Sequence, residues 1–369
     1  MARAQQRIRY AVVGLGHIAQ VAVIPAFAHA RRNSTLAAIV SGDRTKRRLI
    51  AAKYDLGHAA FSYEEYDECL RQVDAVYIAL PNSMHAEYAI RAARAGVHVL
   101  CEKPLAATVD ECRRMIAACR TGGVKLMVAY RLHFEGINLA AIELARAGKL
   151  GELKYFNSSF SMKVRRGDIR TKRAYGGGTL YDIGVYCINA ARYLFRAEPT
   201  QVSAISVNSG AASLSEIDET TAAVLRFGDE RVASFITSFN AADVAAYRIV
   251  GTKGTLHADP AYEYAEGLAF TLTVDGKTTR KQIGKRDQFA PQLLYFSDCI
   301  LHDRQPEPSG EEGLQDVRIV EALYSSAKSG RPVAIRPFAK RQRPTGRQRI
   351  SRPGVTKPKL IKVQSASQD

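Results

Sequence analysis

Residues 8–19 read IRYAVVGLGHIA, and this stretch decides the fold. Ile8–Val13 is an apolar, β-rich run that predicts a strand. Gly14-Leu15-Gly16-His17-Ile18-Ala19 then fits G-x-G-x-x-[GA]. Alone that pattern is weak. Here it follows a strand and opens a helix expected from about His17 to Ala30, which is the context the motif requires. Gly14 permits a tight turn, Gly16 lets the backbone approach a pyrophosphate, and Ala19 keeps the helix close to the strand. The helix start offers N–H groups and the positive end of its dipole to phosphates. The plain alternative is a glycine turn with no ligand.

The same rhythm continues outward. Apolar runs at Leu36–Val40, Ala75–Leu80, Val97–Cys101 and Lys125–Ala129 alternate with helical stretches at Asp43–Tyr54, His85–Ala95 and Thr108–Arg120. Thr108 is a good N-cap, and Gly122-Gly123 ends its helix. Strands separated by helices of this length imply right-handed βαβ units and a parallel sheet, the α/β doubly wound arrangement. After about Tyr130 the rhythm changes. A helix Asn138–Ala147, a long strand Leu153–Met162 and a helix Leu180–Phe195 precede mostly strands from Gln201 to Val274. Successive strands without helices predict a large, mostly antiparallel sheet. Helices Gln288–Leu301 and Glu311–Ser329 are expected to close this second α/β domain. The expected domains are therefore 1–130 and 131–335, followed by a tail, 336–369, that is basic, Pro-dotted and expected to be disordered.

Length and charge fit that division. The 369 residues suggest two domains at roughly 150 residues each. No apolar run approaches a membrane span. The formal charge of +17 is concentrated at the ends: residues 336–369 hold ten Lys/Arg and one acid, and residues 1–9 hold three arginines. Weak, salt-sensitive contact with polyanions is the partner this tail suggests, and its removal is expected to spare activity. The six cysteines form no C-x-x-C pair and no zinc-like spacing with histidine, so they read as free thiols in a reducing, cytoplasmic compartment, with no metal expected. No apolar leader precedes Ile8, so no signal peptide is expected.

Two further clusters carry chemistry. The second strand ends at Ser41 rather than at an acid, and Arg44, Lys46, Arg47 and Arg48 follow. An acid there holds the ribose 2′-OH of NAD, whereas cations suit the 2′-phosphate of NADP. Asp43 argues for NAD, but it is also the natural N-cap of the next helix. The balance favours NADP, with NAD as the alternative. Cys101-Glu102-Lys103-Pro104 lies at the C-terminal end of a parallel strand, where ligands bind in open sheets. The run GGGTLYDIGVY, 176–186, opens a helix on which Asp182 and Tyr186 share a face. A carboxylate, a phenol and a lysine suffice for an acid–base relay in which Lys103 acts on Tyr186 and Asp182 orients the substrate or the lysine. From residue type alone, a core tyrosine is an equal reading of Tyr186.

The chain resembles the Gfo/Idh/MocA oxidoreductases, and within them the glucose–fructose oxidoreductase subgroup. The residues that carry the resemblance are GLGHIA at 14–19, PNSMHAEYAIRA at 81–92, CEKP at 101–104, AYRLHF at 129–134, GGGTLYDIGVYCINAARYL at 176–194 and GEEGLQDVRIVEALY at 310–324. It implies a Rossmann domain followed by an α/β domain with a large, mostly antiparallel sheet. It implies that Lys103 and Tyr186 are the catalytic pair. It places Leu80, Pro81, Asn82, His85, Glu102, Lys103 and Arg131 against the cofactor beside Gly14, Leu15, Gly16, His17 and Ile18, with Ser41, Arg44 and Lys46 at the 2′-phosphate. Many family members carry His where this chain has Tyr186; the tyrosine form is that of the sugar-oxidising subgroup and of dihydrodiol dehydrogenases.

The implied activity is hydride transfer between a sugar, at the anomeric carbon, and NADP. The alternatives are a dihydrodiol- or inositol-type dehydrogenase and a dinucleotide-binding regulator without turnover. The name-giving enzyme carries an export signal and an N-terminal arm that helps lock in its cofactor. Neither is read before Ile8, so a dissociating cofactor is at least an equal reading beside a locked-in one. The loop KVRRGDIRTKRA, 163–174, is expected to help set the substrate, its four arginines suiting an anionic sugar or a solvated surface. Association through the open face of the second sheet is the implied homo-oligomer.

Overall fold

The computed structural model describes residues 6–228, 230–339 and 342–367. The chain divides into two compact units. The first holds the chain through Arg131, Asp287–Gly313 and Ser351–Ser365; the second holds Leu132–Arg286, Leu314–Ile350 and the residues from Ala366.

The first unit is a six-stranded parallel sheet. Its strands are β1 (Ile8–Val13), β2 (Ser34–Val40), β3 (Ala60–Phe61), β4 (Ala75–Ile78), β5 (His98–Cys101) and β6 (Leu126–Val128). Their order is β3-β2-β1-β4-β5-β6, the doubly wound order that reverses between β1 and β4. Val13 pairs with Val40 and Ile78, Ile78 with Cys101, and Cys101 with Val128. The residues that follow these five strands therefore lie along one C-terminal edge. The strands are buried on both faces, as a parallel sheet covered by helices requires.

The helix after β1 runs as a π turn, Ala19–Val23, an α turn, Ile24–Ala26 (α1), and a 3₁₀ turn, Phe27–His29. Next come α2 (Arg44–Lys53), α3 (Tyr66–Leu70), α4 (His85–Arg94) and α5 (Val109–Thr121). α5 starts at a capping box in which Thr108 and Glu111 satisfy each other's backbone N–H groups.

The second unit is built on a nine-stranded sheet. Its long central strand is β7 (Leu153–Lys163). The others are β8 (Pro199–Val207), β9 (Thr220–Phe227), β10 (Val232–Ser238), β11 (Asn240–Gly251), β12 (Gly254–Ala258), β13 (Leu268–Val274), β14 (Lys277–Ile283) and β15 (Val333–Ala334). The order is β14-β13-β12-β11-β7-β10-β9-β8-β15, with β7 and β10 parallel and the other pairs antiparallel. Helices α6 (Gly136–Arg146) and α7 (Val185–Phe195) cover one face, over a core that includes Phe156, Ile188, Leu225, Phe235 and Ile249. The other face leaves Ile205, Val224 and Ile236 at 70, 44 and 50 % exposure.

Two expectations fail. Helix α8 (Ala290–Leu301) was expected in the second domain, but it packs in the first unit. Tyr10 Oη lies 2.8 Å from Ser297 Oγ, and the Asn33 side-chain amide donates to the Leu294 carbonyl at 2.9 Å. An apolar helix face does not say which sheet it will cover.

The described residues of the basic tail are also tied to the rest of the chain rather than disordered. Arg343 Nη2 donates to Glu198 at 3.0 Å, and the Gly346 N–H donates to Glu143 at 2.9 Å. Arg352 Nε donates to the His29 carbonyl at 3.3 Å, and Ile361 is held by Gln20. Val164 and Ser367 form a β-bridge. Composition identified the charges; partners distant in sequence fix their positions.

Candidate active site

The C-terminal edge of the parallel sheet gathers the first cluster. At Gly14, φ is +95°, and a Cβ there would lie 2.5 Å from the Ala79 carbonyl oxygen. Only glycine fits, for reasons internal to the fold. At Gly16 a Cβ would meet no protein atom within 4 Å. What a side chain would obstruct there is outside the protein, which is the space a pyrophosphate needs. Leu15 is buried and its carbonyl accepts from Gln20, while His17 and Ile18 are half-buried.

The adenosine side follows β2. Asp43 Oδ1 accepts the Lys46 N–H at 3.0 Å, so the carboxylate caps α2 rather than standing free for a ribose. That bond, with help from Lys362 and Lys46, holds the Asp43 carboxyl below the usual range. Ser41 is buried, and its Oγ accepts the Asp43 N–H at 3.3 Å. Arg47 donates to the Ser41 carbonyl. The first turn of α2 contains no acid; Arg44 and Lys46 lie in it, with Arg47 next. Cations at the positive end of a helix dipole are unfavourable without an anion. The arrangement fits a bound 2′-phosphate.

The remaining edge residues come from β4, β5 and the turn after β6. Leu80 is buried, and Pro81 and Asn82 are half-buried. The Lys103–Pro104 bond is cis. Glu102 accepts from Tyr77 Oη at 2.7 Å and from the Lys103 N–H at 3.2 Å. Burial raises its pKa against the opposing pull of Lys103. Arg131 is buried and donates to Gln288.

His85 opens α4, the helix after β4. It is fully buried, with Nδ1 2.9 Å from the Pro104 carbonyl and Nε2 2.9 Å from the Leu80 carbonyl. Both ring nitrogens face backbone carbonyls, of the loops that carry Pro81 and Lys103, and a neutral imidazole donates to one of the two. Burial lowers its pKa.

The second unit supplies the second cluster. A π turn, Leu180–Gly184, runs into α7 and carries Asp182 and then Tyr186 along one helix. Tyr186 is half-buried against Phe160 and Tyr262, with ring centroids 5.5 and 5.8 Å away. Asp182 Oδ2 accepts from Arg170 Nε at 2.8 Å, and Arg170 also donates to Asp168 at 3.1 Å. Arg173 and Arg165 donate to the carbonyls of Glu216 and Ser367. Three of the loop's four arginines thus hold the loop in place instead of standing ready for an anionic sugar. No sequence pattern marked Gln20 or Tyr262, whose partners Ile361 and Ser158 are distant in the chain, and the loop 163–174 was marked without the Arg170–Asp182 pair.

The model for the oxidoreductase family's NAD-binding Rossmann fold matches residues 8–130, and that for the GFO/IDH/MocA C-terminal domain matches 138–257. The chain belongs to the Gfo/Idh/MocA oxidoreductase family. Its relatives in this family include D-xylose 1-dehydrogenase (NADP(+)) 2 of Haloferax volcanii, 32 % identical over 88 % of this chain and 99 % of that protein. The structure resembles aldose-aldose oxidoreductase from Caulobacter crescentus complexed with glycerol. The TM-score is 0.86 at 37 % identity, over 89 % of this chain and 100 % of that one. It also resembles KijD10, a 3-ketoreductase from Actinomadura kijaniata in complex with NADP and TDP-benzene. There the TM-score is 0.79 at 26 % identity, over 87 and 98 % of the two chains.

Proposed function

We propose that this chain is an NADP-dependent oxidoreductase that transfers a hydride between a sugar, an aldose at its anomeric carbon, and nicotinamide. The observation that carries the reading is the sheet edge. Gly16 opens onto space the protein does not fill, while the first turn of α2 holds cations and no acid. The names of the Haloferax and Caulobacter relatives, a D-xylose dehydrogenase linked to NADP(+) and an aldose-aldose oxidoreductase, support NADP and an aldose.

Bound NADP supplies the hydride acceptor at its nicotinamide C4. The chain's own groups handle the proton. Tyr186 accepts the anomeric hydroxyl proton at its phenolic oxygen, with Lys103 as the cation of the catalytic pair. The C1–H bond breaks with its electron pair, and the aldose leaves as a lactone. Asp182 acts at one remove, through Arg170. Gly14, Leu15, Gly16, His17 and Ile18 hold the pyrophosphate, Ser41, Arg44 and Lys46 the 2′-phosphate, and Leu80, Pro81, Asn82, Glu102 and Arg131 the remainder. Positioning should contribute much of the rate.

Two copies pair through the open sheet face, where Ile205, Val224 and Ile236 stand exposed side by side. The six cysteines are buried free thiols, which supports a cytoplasmic, reducing setting. Among the described residues no helix is long and apolar enough to cross a membrane. The test is a panel of initial rates with aldoses, polyols and dihydrodiols against NADP and NAD. The fastest rates are expected with an aldose and NADP; tight NADP binding with no turnover of any substrate would make the chain a regulator.

A further inference from the structure

The segment Ser351–Ser365 belongs to the first unit and follows the helix that leaves the glycine turn. Arg352 is held at that helix's far end: its Nε donates to the His29 carbonyl at 3.3 Å, and its carbonyl accepts the Asp287 N–H at 3.2 Å. Ile361 is held at the near end. Its N–H donates to Gln20 Oε1 at 2.8 Å, and its carbonyl accepts from Gln20 Nε2 at 3.0 Å. Gln20 is buried and also donates to the Leu15 carbonyl, 2.9 Å away in the glycine turn itself. One side chain thus joins the C-terminal segment to the pyrophosphate turn.

Lys362 comes immediately after this anchor. It takes a left-handed backbone conformation, φ +49°, which residues with a Cβ adopt only when their surroundings hold them there. Its Nζ lies 3.7 Å from Asp43 Oδ2. Asp43 is the acid that, left alone, would offer an acceptor to a ribose hydroxyl and repel a phosphate dianion. At that distance, with the lysine side chain 57 % exposed, the pair is weak and the ammonium is not committed to it.

We propose that Lys362 is a specificity-determining residue for the dinucleotide: the C-terminal segment carries a cation to the N-terminus of α2, where it offsets Asp43 and contacts the 2′-phosphate. A dianionic phosphate is a stronger partner for an ammonium than a half-solvated carboxylate. The segment read as a dispensable basic tail then becomes part of the cofactor site. This inference rests on the NADP reading above and deepens it.

The test is binding, on the full chain, for wild type, Lys362→Ala and Lys362→Arg. NADPH and NADH are followed by their own fluorescence, which no tryptophan in this chain obscures. The phosphate contact is isolated by calorimetry with 2′,5′-ADP against 5′-AMP. Lys362→Ala is expected to weaken NADPH and 2′,5′-ADP about tenfold, the loss of one charge-assisted contact, and NADH and 5′-AMP less than about twofold. Lys362→Arg should keep most of the preference. Unchanged NADPH binding in Lys362→Ala, or an equal loss for NADH, overturns the inference while leaving a wild-type NADPH preference intact. Wild type that binds NADH as tightly as NADPH overturns the NADP reading and this inference together.

Discussion

The guanidinium of Arg170 holds the carboxylate of Asp182 at 2.8 Å, and both side chains are mostly shielded from solvent. The acid that shares a helix face with Tyr186 is therefore a fastener for the loop 163–174 before it is anything else. If that is its whole role, Asp182→Asn and Arg170→Met should both raise KM for the sugar, by about tenfold for the loss of one charged hydrogen bond. The double variant should be no worse than Arg170→Met alone, which already loses the contact with Asp182 as well as the one with Asp168. Steady-state kinetics on the three variants checks this. A large fall in kcat for Asp182→Asn alone would return the carboxylate to the proton relay.

The two glycines of the turn should separate folding from binding. Gly14→Ala forces a Cβ against the Ala79 carbonyl at a positive φ. It should cost roughly 2 kcal/mol or more and lower Tm by several degrees. Gly16→Ala meets no protein atom within 4 Å. It should melt like wild type and lose affinity for NADPH. Thermal melts and cofactor titrations on the pair decide this; a Gly16→Ala variant with undiminished NADPH affinity would place the pyrophosphate elsewhere.

His85 gives a pH signature. Burial lowers its folded-state pKa below the ordinary value of about 6.5. The unfolded chain therefore binds the proton more readily as the medium turns acid. The stability associated with His85 is fully present above about pH 6.5 and is lost as pH falls through that value toward the folded pKa. Tm measured from neutral to mildly acid pH should fall less steeply in His85→Gln than in wild type, even though the variant starts lower. Parallel slopes would show that His85 does not titrate with folding.

The basic C-terminal segment should behave as part of the fold. Arg343 and Arg192 share Glu198, and Arg192 also donates to the buried Asp316 at 2.6 Å. Arg343→Ala leaves Glu198 a partner short and should cost about 1–3 kcal/mol. Native-state trypsin digestion gives a second reading: cleavage after Arg347, Arg349 and Lys362, none of which precedes a proline, should be slow until the protein unfolds. Rapid trimming at those sites without loss of Tm would show a dispensable tail.

Much of this was legible in the sequence, for physical reasons. β1 was expected at Ile8–Val13 and lies there, because an apolar run closed by a glycine turn has few other solutions. Thr108 caps α5 as its side chain predicts. The doubly wound sheet and the antiparallel one follow from alternation of strands with helices and then its absence. Elements without periodicity escaped. β3 has two residues, α3 is one short helix, and β14, KTTRKQI, is a polar edge strand with no apolar face. Side-chain partners set by the tertiary fold escaped as well, whatever their separation in the chain. The sequence shows Gln20, His85 and Arg170 as residue types, but not that they meet Ile361, the Leu80 and Pro104 carbonyls, and Asp182.

The central claim is hydride transfer from an aldose to NADP with Tyr186 handling the proton. It is tested most directly by following the absorbance of reduced nicotinamide when wild type and Tyr186→Phe are mixed with NADP and an aldose such as xylose or glucose. Wild type should form NADPH steadily. Tyr186→Phe, which removes one oxygen from a half-buried ring, should bind NADPH as tightly and turn over slower by about two orders of magnitude or more. A Tyr186→Phe variant as fast as wild type, or a wild type inert toward every aldose, would contradict the account.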